Sequence, residues 1–238
     1  MTIIWQNKTK TVFIKKRTFN KNNGRKGQGV SQPSQYELKF RYEGQGFLKK
    51  FWNNFPFERL NIKNDDYENK VFKASSVITL KELLKNQKTL TYIQTLTLIK
   101  NIGTFFKHLE TFNLGFLKIN IDDVVVIDGY FFFFEENSVV ELVNKQITIN
   151  SPTILKNMQK DKFVSPEIQK LDTIGVSVSS KFFYYNLASM SIYCLFNKYI
   201  SNQKDSQKIL EPIMETKLFW TLKRCLKLHP QDRFFLII

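Results

Sequence analysis

Two neighbouring runs decide the fold: KFVSPEIQKL at Lys162–Leu171 and KFFYYNLASMSIYCLF at Lys181–Phe196, with a distant counterpart, RCLKLHPQDR, at Arg224–Arg233. From Phe182 to Phe196 the chain is apolar on nearly every side. That pattern predicts a helix buried on all faces rather than one lying on a surface. Such a helix needs other helices around it. Its approach, Ser165-Pro166-Glu167, carries one anionic group, and burying an unpaired carboxylate costs several kcal/mol. Glu167 therefore calls for a cation, and Arg233 near the end of the sequence is the candidate.

These residues carry a resemblance. A Ser/Ala-Pro-Glu followed by an apolar helix of the form W-S-L-G, and then an R-C-L-x-x-x-P-x-x-R segment, resembles the C-terminal lobe of the protein-kinase superfamily. Tyr185-Asn186-Leu187-Ala188 stands where W-S-L-G would, and the family's structural ion pair would be Glu167 with Arg233. The resemblance covers roughly residues 75–238. A weaker likeness is to kinase-like proteins of large DNA viruses, which carry a comparable SPE…YYSLA…RCL pattern. What is implied is an α+β, protein-kinase-like two-lobed fold. Its parts would be a basic N-terminal arm at 1–34, a reduced β-rich N-lobe at 35–78 and a mainly helical C-lobe at 79–238.

Composition sets the outer bounds. A chain of 238 residues, 42% hydrophobic, can bury one sizeable core or two lobes sharing an interface. Phe, Lys, Asn and Ile are over-used and Gly, Ala and Pro are scarce, the imprint of an AT-rich genome. The net charge of +15 is unevenly spread. Residues 1–63 hold fourteen Lys or Arg against three acids, Glu37, Glu43 and Glu58, a net of +11. A polyanion is the natural partner for that segment, whether nucleic acid, an anionic surface or an acidic protein, and Lys15, Lys16, Arg17, Lys21, Arg25 and Lys26 are its candidate contacts. The other reading is a solvated, partly extended arm.

The best apolar run, 182–196, contains Asn186, Ser189 and Ser191 and is shorter than the roughly 20 residues of a membrane span, so no transmembrane segment is expected. Cys194 and Cys225 lie in apolar helical contexts without metal-ligand spacing. They are expected to be core thiols of a protein in a reducing, intracellular compartment: cytoplasm, virion or organelle interior.

The N-terminal quarter is mixed. Thr11–Ile14 and Gln35–Tyr42 alternate as strands do, separated by loop composition. Gly24, Gly27 and Gly29 are spaced G-x-x-G-x-G, the wrong order for the phosphate-covering loop the resemblance implies. Tyr36-Glu37-Leu38-Lys39 is similar to V-A-I-K, and Glu58 follows at a plausible distance for the helix-borne partner of Lys39. Pro56 stands within the helix this would need, and little room remains beyond Glu58 for two further strands.

Further on, Val71–Val77 suits a strand and Leu80–Leu84 begins a short helix. Leu98, Ile102, Phe105, Leu109 and Phe112 recur at three and four along one longer helix. His108, beside this stripe, and His229, before Pro230, are expected at a boundary and in a turn. Val124–Ile127, Asp128-Gly129 and Tyr130–Phe134 form a strong hairpin signal.

In the kinase pattern that hairpin separates the catalytic loop, H-R-D-L-x-x-x-N, from the metal-binding D-F-G. The resemblance then puts Phe116, Leu117 and Lys118 at H-R-D and Asp123 at the Asn. D-F-G falls on Glu136, Asn137 and Ser138, or one residue earlier. A protonated Lys118 cannot accept a hydroxyl proton, so no catalytic base is expected at that position. Phe183, two before Tyr185, also replaces the Asp that fastens the catalytic loop. Asp123 and Glu136, with Lys39 and Glu58, are the remaining nucleotide or metal candidates, ATP and magnesium being the ligands implied.

The expectation is a pseudokinase-like scaffold or assembly component whose basic arm meets a polyanion and whose surfaces meet a protein partner. The rivals are an active or weakly active Ser/Thr protein kinase using Asp122, Asp123 or Glu136 in shifted roles, and a basic component of a ribonucleoprotein or virion particle.

Overall fold

Alternation of buried and unburied residues builds the sheet in the first third of the molecule. Val12 and Ile14, then Leu38 and Phe40, then Phe72 and Ala74 are all buried, each two residues apart on its strand. The computed structural model describes residues 2–6, 8, 12–17, 35–41, 46–59, 61–64, 69–201 and 203–236. Within these, β1 (Thr2–Gln6), β2 (Val12–Arg17), β3 (Gln35–Arg41), β4 (Asn61–Asn64) and β5 (Asn69–Ala74) form one antiparallel sheet in the order β1-β2-β3-β5-β4. Between β3 and β4 comes helix α1 (Phe47–Asn53), which buries Phe51 and Trp52.

Three expectations are corrected here. The boundary at residue 34 cuts through the sheet, because β2, from the expected arm, pairs with β3 along its whole length, Val12 opposite Phe40 to Arg17 opposite Gln35. The β region is not reduced: strands of four and six residues fit beyond Glu58. The expected strand Val71–Val77 is two, β5 and then β6 (Val77–Thr79).

β6 leads into α2 (Leu80–Gln87), started by a capping box in which Thr79 accepts from the Glu82 amide. α3 (Tyr92–Glu110) begins the same way at Thr91 and Gln94. Its apolar stripe ends at Leu109; Phe112 lies past the helix and is exposed. After β7 (Leu114–Phe116), β8 (Val124–Ile127) and β9 (Tyr130–Phe133) form the expected hairpin. Asp128 and Gly129 adopt φ of 48° and 85° at its turn. Two buried or local carbonyl-type acceptors pin it: Asn101 Oδ1 of α3 takes the Phe131 amide at 3.0 Å, and Asp128 Oδ1 takes the amides of Ser75 and Ser76 at 3.0 and 2.7 Å.

β10 (Val139–Glu141) pairs with β7, and β11 (Gln146–Ile149) pairs with β12 (Val176–Ser179). Between those last two lie α4 (Pro152–Gln159) and the single turn α5 (Pro166–Gln169). α6 (Phe182–Phe196) is the expected central helix, with twelve of its fifteen residues buried. α7 (Gln203–Leu210) and α8 (Lys217–Cys225) complete an α+β molecule. Among the described residues no helix is long and apolar enough to cross a membrane.

Arg233 is wholly buried and meets Glu167 with two nitrogens, at 2.5 and 2.8 Å. Its Nε also donates to the Lys227 carbonyl at 2.7 Å, and its guanidinium lies 5.1 Å from the Tyr185 ring centre. The segment from α5 through α6 to the C-terminal stretch is thereby tied at one point.

Candidate functional site

The site lies where the five-stranded sheet meets the β8–β9 hairpin, and aromatic residues fill most of that junction. Phe55, beyond α1, stacks on Phe134 with ring centres 5.2 Å apart and on Phe132 at 6.0 Å. Phe40 of β3 packs on Trp52, Phe72 and Phe134, and Trp5 of β1 packs on Phe134. Each such pair adds to the burial of large apolar area. Beside them lies a cleft of about 140 Å³ lined by Trp5, Gln6, Lys8, Asp122, Asp123, Phe134 and Glu135.

At its centre are two carboxylates and one ammonium. Asp123 and Glu135 are 5% and 3% exposed, and Lys8 Nζ, between β1 and β2, stands 3.3 Å from Asp123 Oδ1 and 3.3 Å from Glu135 Oε2. The 3-10 turn Ile121–Asp123 and the backbone bond from the Phe134 amide to the Asp123 carbonyl hold the two acids side by side. Asn120 adds a side-chain donor to Asp123 Oδ2 at 3.4 Å.

The electrostatics follow from crowding two like charges in a dry place. Burial pulls the Lys8 ammonium down, but Asp123 and Glu135 outweigh it and its pKa is raised. Burial pushes the Asp123 carboxyl up, and Glu135 adds to this; Lys8 and Asn120 only partly oppose it. The upward shift of Asp123 is set first by its burial, with Glu135 a smaller contribution, while the two 3.3 Å contacts show Lys8 shared between the carboxylates.

Glu136, the residue expected to face Asp123, turns the other way. It is buried, and its Oε2 accepts the Trp52 indole N–H at 2.6 Å. Glu135 takes its place in the cleft, the one-residue-earlier alignment. Asp122 is exposed and pairs outward with Lys81 at 3.1 Å.

Lys39 and Glu58 are not brought together. Lys39 lies between Leu38 and Phe40, both buried against the junction, so strand alternation turns it to the opposite face of the sheet. Glu58 is not on a helix facing β3: α1 stops at Asn53, three residues before Pro56, and Glu58 sits in the 3-10 turn Phe57–Arg59. Its side chain is 73% exposed, 4.0 Å from Arg59.

Lys118 is half-buried and lies within electrostatic reach of Asp161. Burial pushes the Asp161 carboxyl up to about 6; the Phe163 amide and Lys118 hold it back, and Asp123 adds to the rise. Asp161 Oδ2 is buried and has no hydrogen-bond partner among the described residues. Next to this region Phe116 and Phe183 touch, ring centres 5.1 Å apart.

Of the expected polyanion contacts, Lys15 and Lys16 lie on β2, where alternation sends them to opposite faces. Arg17 closes that strand, and Lys21, Arg25 and Lys26 lie outside the described residues, as do Gly24, Gly27 and Gly29. Lys8 and Asp161 carry no signal in the sequence that singles them out, whereas Glu135 is reached by the alignment one residue earlier than Glu136.

No family model and no curated protein matches this chain. Among the described residues no group of three or more His, Cys, Asp or Glu is placed to hold a metal ion.

Proposed function

We propose that this chain is a catalytically degenerate, protein-kinase-like protein that works as a scaffold or assembly component, with its basic N-terminal region contacting a polyanion. The observation that carries this reading is Lys8 between Asp123 and Glu135. In the kinase pattern those two positions flank the metal, and here an ammonium from the chain itself stands between them.

Magnesium and a nucleotide do not fit these residues. Among the described residues the cation position between Asp123 and Glu135 is filled by Lys8, and the cleft around it, about 140 Å³, is well below the roughly 300–1,000 Å³ of small-molecule pockets. Phe40, where the resemblance implies a neighbour of the phosphate-binding lysine, is instead packed into the aromatic junction.

Three further features support the reading. The order of five strands with a helix after the third suits the implied hairpin, lysine strand, helix and two further strands. Glu167 and Arg233 form the bidentate pair that the family would need. Phe116 and Phe183, at the catalytic-loop His and helix Asp positions, contact each other, so two polar groups that act together have an apolar pair in their place.

The reading as a weakly active Ser/Thr kinase is favoured by one observation: Asp161, raised to about 6, brings a carboxylate near Lys118. Incubation with labelled ATP, magnesium and a generic basic protein separates the two. No label transfer is expected. Transfer that disappears in Asp123→Ala or Asp161→Asn overturns the scaffold reading.

A further inference from the structure

Strand register gathers charge that the sequence scatters over sixty residues. Lys15 of β2 lies opposite Glu37 of β3, which lies opposite Lys73 of β5; two pairs along, Phe13 lies opposite Lys39, which lies opposite Val71. On β1 Ile3, 52% exposed, is opposite Lys15. All these positions share the parity opposite to Val12, Ile14, Leu38, Phe40 and Phe72, the buried face.

With strands about 4.8 Å apart, Lys15 and Lys73 stand roughly 10 Å from each other across Glu37, and Lys39 sits about 7 Å along the sheet from that row. Phe13, Lys15, Lys39 and Lys73 are each half-buried. Long stems lying on the sheet with charged heads beyond them are how lysines cover apolar surface while reaching a ligand. Glu37 keeps an acid between two of them, which spaces the cations.

We infer that this outer sheet face binds a single-stranded nucleic acid, the lysines meeting phosphates and Phe13 offering a surface to an unpaired base. The inference rests on the polyanion part of the proposed function and gives that part a location. An aromatic ring set among lysines on a pleated sheet suits an exposed base; a duplex keeps its bases in the stack, and a lipid headgroup has no ring to offer.

The test is fluorescence anisotropy of the full chain with labelled (dT)20 between 50 and 200 mM salt. The expected result is binding that weakens steeply with salt. The combined change Lys15→Gln, Lys39→Gln, Lys73→Gln should reduce affinity by about tenfold or more and flatten the log–log salt slope by about 2, three contacts at 0.7 each. Phe13→Ala should cost roughly tenfold with the salt slope unchanged.

Native-like affinity in the triple variant overturns the inference. So does loss confined to Lys21→Ser, Arg25→Ser, Lys26→Ser, although that result keeps the polyanion reading. Preference for duplex or for anionic vesicles, with Phe13→Ala silent, also overturns the sheet-face assignment. Absence of any binding by the native chain removes both. Should the triple variant fail to fold, photo-crosslinking of (dT)20 to the native chain decides: adducts within 12–17 and 35–41 support the inference, and adducts confined elsewhere overturn it.

Discussion

Arg233 holds Glu167 through two parallel hydrogen bonds across 66 residues of sequence, and the arginine has no exposed surface. Two further donors go to the carbonyls of Lys227 and Leu228. Removing one member leaves a charge in a dry place, so Arg233→Met and Glu167→Gln should each destabilise the fold by about 3–5 kcal/mol in urea titrations. Arg233→Lys should recover little, because an ammonium cannot make the planar two-point contact.

That pair was legible in the sequence because burial of the apolar run at Phe182–Phe196 makes a nearby carboxylate expensive, and the resemblance picks out Arg233 among the cations as its partner. The β8–β9 hairpin was legible for a local reason, Asp128-Gly129 between two apolar runs. The site was harder. Lys8 meets Asp123 from 115 residues away, and no local pattern distinguishes it from the other lysines of a basic segment. Which of Glu135 and Glu136 faces the cleft depends on a one-residue turn at the end of β9. Lys39 was misassigned although Leu38 and Phe40, its apolar neighbours, already implied that it faces away.

Asp161 should give the protein a measurable pH dependence. Its folded pKa, about 6, lies above the ordinary 3.8, so the folded state binds more protons in that window and stability falls as pH rises from about 4 to about 6. Asp161→Asn should remove this part of the slope and raise stability at pH 7 by up to about 3 kcal/mol. The raised carboxyl of Asp123 keeps a residual slope of the same sign. Chemical denaturation at pH 4, 5, 6 and 7 checks it; stability of Asp161→Asn at pH 7 equal to or below native contradicts it.

Gly103 on α3 is required by the C-terminal segment. A Cβ there would come within 2.1 Å of the Phe235 ring, which stacks on Tyr184 with centres 5.7 Å apart. Gly103→Ala should therefore cost about 1–3 kcal/mol as overpacking, despite alanine's better helix propensity. Adding Phe235→Leu should recover part of that loss, a coupling visible in a double-mutant cycle.

The burial of Cys194 and Cys225 pushes both thiols up to about 12. Neither should react with iodoacetamide at pH 8 in the native protein, and both should react in denaturant. Mass spectrometry of the alkylated chain reads the result directly.

Whether Lys8 takes the cation's place in the cleft is read from calorimetric titration of the native chain and of Lys8→Ala with ATP and magnesium. No binding heat is expected for the native protein, and for Lys8→Ala at most weak magnesium uptake that Asp123→Asn abolishes. Tight magnesium-dependent ATP binding by the native chain, unchanged when Lys8 is replaced, would contradict it.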